Sequence, residues 1–273
     1  MSTYNESAKP KVTTASLRKM KLNGEKIACL TSYDFTLASL VDAAGMDLIL
    51  VGDSAANVMM GYETTVPITL DEMITFAKGV VRGVKRALVI VDLPFGYYQG
   101  NPDMALASAV RIMKETGAGG VKIEGGAEIK ESIERILTAG IPVFGHLGLT
   151  PQSINKFGTY AVRAKEEAEA AKLLSDARML DELGCFAITL EKIPASLAAQ
   201  VAKEVSCPVI GIGAGGEVDG QILVVQDMLG MNKGFAPKFL RRYGEFGDSI
   251  VNAVSSYVAD VKSSDFPNAN EQY

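Results

Sequence analysis

Short apolar runs that end on an ionisable residue recur along this chain, and they constrain its architecture more than any other feature. Leu48–Val51 runs into Gly52-Asp53, residues 88–91 run into Asp92, and residues 121–123 run into Glu124. A fourth run, Pro142-Val143-Phe144-Gly145, ends on His146, the sole histidine. Strands of a parallel sheet are buried on both faces and read as continuous apolar stretches. These runs are therefore core strands, and the residue after each marks where the strand leaves the core.

Eight stretches have this character, at 27–31, 47–51, 87–91, 120–123, 142–144, 186–190, 208–212 and 222–225. Most are separated by segments of helical period. Residues 70–84 carry Met73, Ile74, Ala77, Val80 and Val81 on one face, and Thr69 with Glu72 has the spacing of a capping box. Asn101-Pro102 opens another helix, stopped by Gly117. Helices are also predicted over 129–137, ended by Gly140, over about 165–183, ended by Gly184, and from Pro194 onward. Strand and helix alternate without a linker or a shift in composition. The pattern predicts an α/β fold, a single (β/α)₈ TIM barrel over residues 1–273. A helix at 15–21 would close its bottom, and a polar tail of disordered composition would start at about 262.

At 48% hydrophobic residues the chain can fill a sizeable core, and its net charge of −5 with no basic run excludes a nucleic-acid binder. The polar amino terminus carries no signal-peptide pattern, and no apolar run approaches the roughly 20 residues of a membrane span. Cys29, Cys185 and Cys207 are odd in number and far apart, as expected for buried thiols in a reducing compartment. A cytoplasmic protein with no membrane partner is expected.

In a barrel, chemistry belongs at the carboxyl ends of the strands, because the loops leaving that face share one mouth. Asp53, Asp92 and Glu124 bring hard oxygen donors there, the preference of Mg²⁺ or Mn²⁺. The competing reading is helix capping, which is even odds for one acid alone and weaker for three at successive strand ends. Lys122 is a cation inside an apolar run and shares a strand face with Glu124. Its partner would be an anionic substrate or the acids themselves, and a purely structural ion pair is the alternative. Glu191 follows Ala187-Ile188-Thr189-Leu190 at another strand end, the placement wanted in a general base. His146 is placed to hydrogen-bond an acid or the substrate, and no serine or cysteine stands where it would form a triad. The glycine-rich turn at 211–216 does not keep dinucleotide spacing and reads as a close backbone approach to a ligand or anion. The long loop at 54–68 reads as a lid or substrate contact.

A hard cation beside a lysine suits a 2-keto acid, whose keto and carboxylate oxygens the metal can chelate while the lysine neutralises the carboxylate. The residues thus describe a metal-dependent enolising enzyme of unnamed electrophile. A lyase of the isocitrate type and a non-catalytic keto-acid-binding barrel are the alternatives. The first would carry a cysteine-containing catalytic loop, and the second would have lost an acid from the cluster.

Several motifs, in order, resemble the ketopantoate hydroxymethyltransferase family. They are Val51-Gly52-Asp53-Ser54, Val91-Asp92-Leu93-Pro94-Phe95, Val121-Lys122-Ile123-Glu124-Gly125-Gly126, Gly145-His146-Leu147-Gly148-Leu149-Thr150-Pro151-Gln152, Ile210-Gly211-Ile212-Gly213-Ala214-Gly215 and Asp219-Gly220-Gln221. The resemblance spans about residues 14–261. It implies a barrel that transfers a one-carbon unit from 5,10-methylenetetrahydrofolate to 3-methyl-2-oxobutanoate, giving 2-dehydropantoate in pantothenate and coenzyme A synthesis. It also implies one Mg²⁺ per subunit at Asp53, Asp92 and Glu124, the last through a water, with keto-acid contacts at Asp53, Ser54, Asp92 and Lys122. Glu191 falls on the family's proton acceptor, and family members commonly assemble as homodecamers. Three departures stand out: Ala55-Ala56-Asn57 where the family has Leu-Gly-Met, Thr75-Phe76 where it often has a histidine, and Lys192 after Glu191. None removes a proposed ligand or base.

Overall fold

The computed structural model describes residues 10–234 and 236–273. The stretch at 1–9, part of the segment read as lacking a targeting signal, lies outside them. Eight parallel strands close into a barrel in sequence order. They are β1 (Ile27–Thr31), β2 (Leu48–Val51), β3 (Leu88–Asp92), β4 (Gly120–Glu124), β5 (Val143–Gly148), β6 (Ala187–Glu191), β7 (Val209–Ile212) and β8 (Gly220–Leu223). The ring closes where Ile27 of β1 pairs with Gly220 of β8. The expected TIM barrel is what forms.

Among the described residues, nine helices accompany the strands: α1 (Thr14–Leu22), α2 (Phe35–Ala43), α3 (Ala55–Val58), α4 (Leu70–Gly83), α5 (Pro102–Thr116), α6 (Lys130–Thr138), α7 (Ile154–Phe157), α8 (Glu167–Leu183) and α9 (Ala195–Glu204). Their ends follow local chemistry. At α4 the Thr69 hydroxyl accepts the Glu72 N–H and the Glu72 carboxylate accepts the Thr69 N–H, a complete capping box. Asn101 caps α5 by accepting from Asp103 and Met104, and Gly117 ends it in the left-handed region at φ 74°. This barrel unit reaches Leu223, and a second compact unit, Val224–Tyr273, contains α10 (Val225–Met228) and α11 (Phe246–Ser263).

Alternation along each strand sends every second side chain into the barrel. Ile27, Cys29, Leu48, Leu50, Leu88, Ile90, Phe144, Ala187, Ile210 and Ile222 fill it, and Val12 and Leu17 join them from the amino-terminal segment. The ammonium of Lys21 fastens α1 at this end, donating to the carbonyls of Ala202, Val205 and Cys207 and pairing with Asp219 at 3.0 Å. The helix expected at 15–21 therefore does close the bottom. Continued toward the carboxyl ends, the same alternation puts Asp92 above Ile90, Lys122 and Glu124 on one face of β4, His146 above Phe144, and Thr189 and Glu191 above Ala187.

Two elements depart from the sequence reading. The eighth strand is Gly220–Leu223 rather than 222–225, because Gly220 packs against β1 so closely that a Cβ there would lie 2.3 Å from the Ile27 carbonyl. The apolar tetrad at 222–225 thus belongs half to a strand and half to the approach to α10. Helix α11, Phe246–Ser263, has no counterpart in the sequence reading, and it ends where that reading starts the polar tail.

Candidate active site

Strand ends supply the site. Asp92, Glu124 and Glu191 are the last residues of β3, β4 and β6, and Asp53 follows β2 by one glycine. Asp53, Asp92, Lys122, Glu124 and His146 are all buried. The Asp53 N–H donates to Asp92 Oδ2 at 3.0 Å, which ties the end of β2 to that of β3. Ser54 Oγ lies 2.8 Å from the hydroxyl of Tyr33, itself buried.

Lys122 Nζ donates to Asp92 Oδ1 at 2.8 Å and stands 3.9 Å from Glu124 Oε1. Burial opposes its charge, but Asp92, Glu124 and Asp53 outweigh burial and raise its pKa, so it is protonated. Glu124 is doubly held. Its Oε1 lies 3.1 Å from His146 Nδ1, and its Oε2 accepts the Gln152 backbone N–H at 3.0 Å. Burial would raise the Glu124 carboxyl, yet His146, Lys122 and Gln152 bring it below the usual range. Asp53 goes the other way, pushed well up by burial and then by the charges of Asp92 and Glu124.

His146 joins two acids across β5. Its Nε2 is 3.4 Å from Glu191 Oε2, near enough for a charge pair but without hydrogen-bond alignment. Burial and Lys122 favour the neutral ring, while Glu124 and Glu191 favour the cation and win, raising its pKa to about 9. Gly148 makes room for Glu191 beside it. At φ 93° it adopts the left-handed conformation, and a Cβ would lie 2.4 Å from the Glu191 carbonyl. The strand register and the bond from Leu149 N to Glu191 O, 2.9 Å, need that close approach.

The barrel thus brings Asp53, Ser54, Asp92, Lys122, Glu124, His146 and Glu191 to one end. Among the described residues no group of three or more carboxylate, histidine or cysteine side chains is placed to hold one metal ion. Two carboxylates meet the ordinary requirement of a Mg²⁺ site, which keeps several waters. Asp53 and Asp92 could supply such a pair, and no donor among the described residues engages Asp53 Oδ1. Their donor chemistry, with more acids than cations around them, fits a divalent ion.

Four further residues complete the cluster. Tyr33 and Tyr98 are buried with their hydroxyls in the network, and Thr189 has a buried hydroxyl with no hydrogen-bond partner. These three carry no sequence signal. Gln152 lies inside the histidine motif, where the only hint is that a buried carboxamide needs partners. The glycine-rich turn serves packing: a Cβ on Gly215, at φ 84°, would lie 2.5 Å from Ala195 at the start of α9. Cys29 sits within β1, and Cys185 and Cys207 precede β6 and β7, so none occupies a strand's carboxyl end.

The sequence pattern of the ketopantoate hydroxymethyltransferase family matches residues 11–269. The chain is 67% identical over 263 residues to the 3-methyl-2-oxobutanoate hydroxymethyltransferase of Parabacteroides distasonis, covering 96% of each. It is 66% identical to the enzyme of that name from Flavobacterium johnsoniae over the full length of both. Among solved structures it is similar in fold to a phosphonopyruvate hydrolase crystallised with oxalate and Mg²⁺, at TM-score 0.60 and 13% identity, covering 95% of this chain and 93% of that one. A 2,3-dimethylmalate lyase of the PEP mutase/isocitrate lyase superfamily gives TM-score 0.58 at 17% identity, covering 95% and 88%.

Proposed function

Because the chain belongs to the ketopantoate hydroxymethyltransferase family, we propose that it moves a one-carbon unit from 5,10-methylenetetrahydrofolate to 3-methyl-2-oxobutanoate and so forms 2-dehydropantoate. It is a transferase of pantothenate biosynthesis. One observation carries the mechanistic reading: Asp53, Asp92 and Glu124 are buried together with Lys122 as their one lysine, and Glu191 stands apart from them across His146. The first group suits a cation and an anionic substrate, and the second suits proton transfer.

Asp53 and Asp92 would hold Mg²⁺, with Glu124 acting through a water. When bound, the ion polarises the 2-keto oxygen and lowers the cost of enolisation by several kcal/mol. Lys122 spends one N–H on Asp92 and has two more for the substrate carboxylate, and Ser54, held by Tyr33, is a further candidate contact for it. Glu191 takes the proton from C3, and His146, wedged between Glu191 and Glu124, keeps that carboxylate facing the interior. The C3 carbon then bonds to the methylene carbon of the folate, and both carbon–nitrogen bonds to that carbon break. Water supplies the hydroxyl of the new hydroxymethyl group, and the two folate nitrogens take up the proton from C3 and the remaining proton of the water. The unpartnered hydroxyl of Thr189 suits a polar ligand at this end of the barrel.

We read the protein as cytoplasmic, which its three free buried cysteines support, and no described helix is long and apolar enough to cross a membrane. The homodecamer implied by family resemblance stands as part of this proposal, and the exposed apolar stripe of α11 supports self-association. A coupled assay for 2-dehydropantoate tests substrate, donor and metal together. Formation should require folate and stop when a chelator is added; product formed without folate, or undiminished by chelator in metal-stripped buffer, would overturn the reading.

A further inference from the structure

Gln152 touches more of the site than any role above gives it. It is buried in the 3₁₀ turn that follows β5. Its side-chain Nε2 donates to Asp53 Oδ2 and to the Leu93 carbonyl, each at 2.9 Å, and its backbone N–H donates to Glu124 Oε2. Through one residue, carboxylates from the ends of β2 and β4 are held relative to each other, together with the backbone just past β3.

The direction of the carboxamide is fixed from the other side. Its Oε1 accepts from the Tyr98 hydroxyl at 2.6 Å and from Gln99 Nε2 at 3.0 Å. Turned over, the amide would set its NH₂ against Gln99's and its oxygen against the Asp53 carboxylate and the Leu93 carbonyl, all like against like. Tyr98 is fully buried, and its oxygen also accepts the Glu124 N–H at 3.1 Å. Asp53 Oδ2 is thereby committed to Gln152, and Oδ1 is the oxygen left to engage a cation.

We propose that Gln152 is a positioning residue, which clamps Asp53 and Glu124 into one arrangement while Tyr98 fixes the direction of its amide. The proposal rests on the reading of this site as a Mg²⁺ site. Groups that orient ligands in this way change metal affinity by roughly 10- to 100-fold when removed.

The test uses the full-length protein and Mn²⁺ as the probe, with bound ion counted by electron paramagnetic resonance. Gln152→Met keeps the volume and removes the side-chain bonds to Asp53, Leu93, Tyr98 and Gln99, while the backbone N–H still holds Glu124. It should bind Mn²⁺ at least about 10-fold more weakly than the wild type, and its activity should keep rising with Mg²⁺ well beyond wild-type saturation. Tyr98→Phe removes one hydroxyl and should weaken Mn²⁺ binding less. The double variant should lose less than the two single losses combined, since they share the Tyr98–Gln152 contact, even though Tyr98 also accepts the Glu124 N–H. Should Gln152→Met fail to fold, Tyr98→Phe alone decides, because unaltered Mn²⁺ affinity there contradicts the proposal. Wild-type binding in Gln152→Met, or an activity loss that added Mg²⁺ does not relieve, overturns it. Wild-type protein that binds no Mn²⁺ overturns the metal reading and the proposal with it; binding by the wild type separates the two.

Discussion

Lys122 shows how one residue ties the stability of this protein to its chemistry. Its side chain is about 5% exposed, and its 2.8 Å contact with Asp92 balances two buried charges. Removing one partner of a buried pair leaves the other unpaired, which typically costs about 3–5 kcal/mol. Lys122→Met should therefore lose about that much stability in urea unfolding of metal-free protein. A loss under about 1 kcal/mol would mean that Asp92 does not depend on the lysine. The acids, Lys122 and His146 were legible in the sequence because a charge at the end of an apolar run is conspicuous. Tyr98, Tyr33 and Thr189 were not, since a tyrosine or threonine near a strand looks the same whether its hydroxyl joins a network or faces solvent. Gln152 lay between these cases, visible in a motif while its partners, 59 and 99 residues away in sequence for Leu93 and Asp53, were not.

At the scale of elements, capping chemistry told where α4 and α5 begin, and left-handed glycines told where α5 and α8 stop. The start of β8 was obscured because Gly220 and Gln221 have low strand propensity and are recruited by close packing against β1. Helix α11 was missed, although Ile250, Val254, Tyr257, Val258 and Val261 recur at helical spacing and are all exposed. An apolar stripe of this kind costs solubility unless another surface covers it. We take that surface to be a second copy of the chain. Wild-type protein should sediment as an oligomer, and Val254→Glu with Tyr257→Lys should shift it to smaller species at equal concentration. A wild-type monomer at micromolar concentration would contradict this.

For the molecule as a whole, the barrel separates structural work from chemical work along one axis. Leu17 and the interior aliphatic residues fill the lower barrel, where the Lys21–Asp219 pair fastens α1, and the ionisable side chains of the candidate site gather at the carboxyl ends of the strands. That division was legible from the run-then-acid pattern, because the same strand must be apolar where it is enclosed and polar where it meets substrate. In the proposed mechanism two carboxylates hold a cation while Glu191, set apart from them, moves the proton. Deuterium exchange at C3 of 3-methyl-2-oxobutanoate, with Mg²⁺ and without folate, tests it most directly. The wild type should exchange, and Glu191→Gln should still bind the keto acid while exchanging about 10²- to 10⁴-fold more slowly. No exchange by wild-type protein shown to bind both metal and keto acid, or wild-type exchange by Glu191→Gln, would contradict the account.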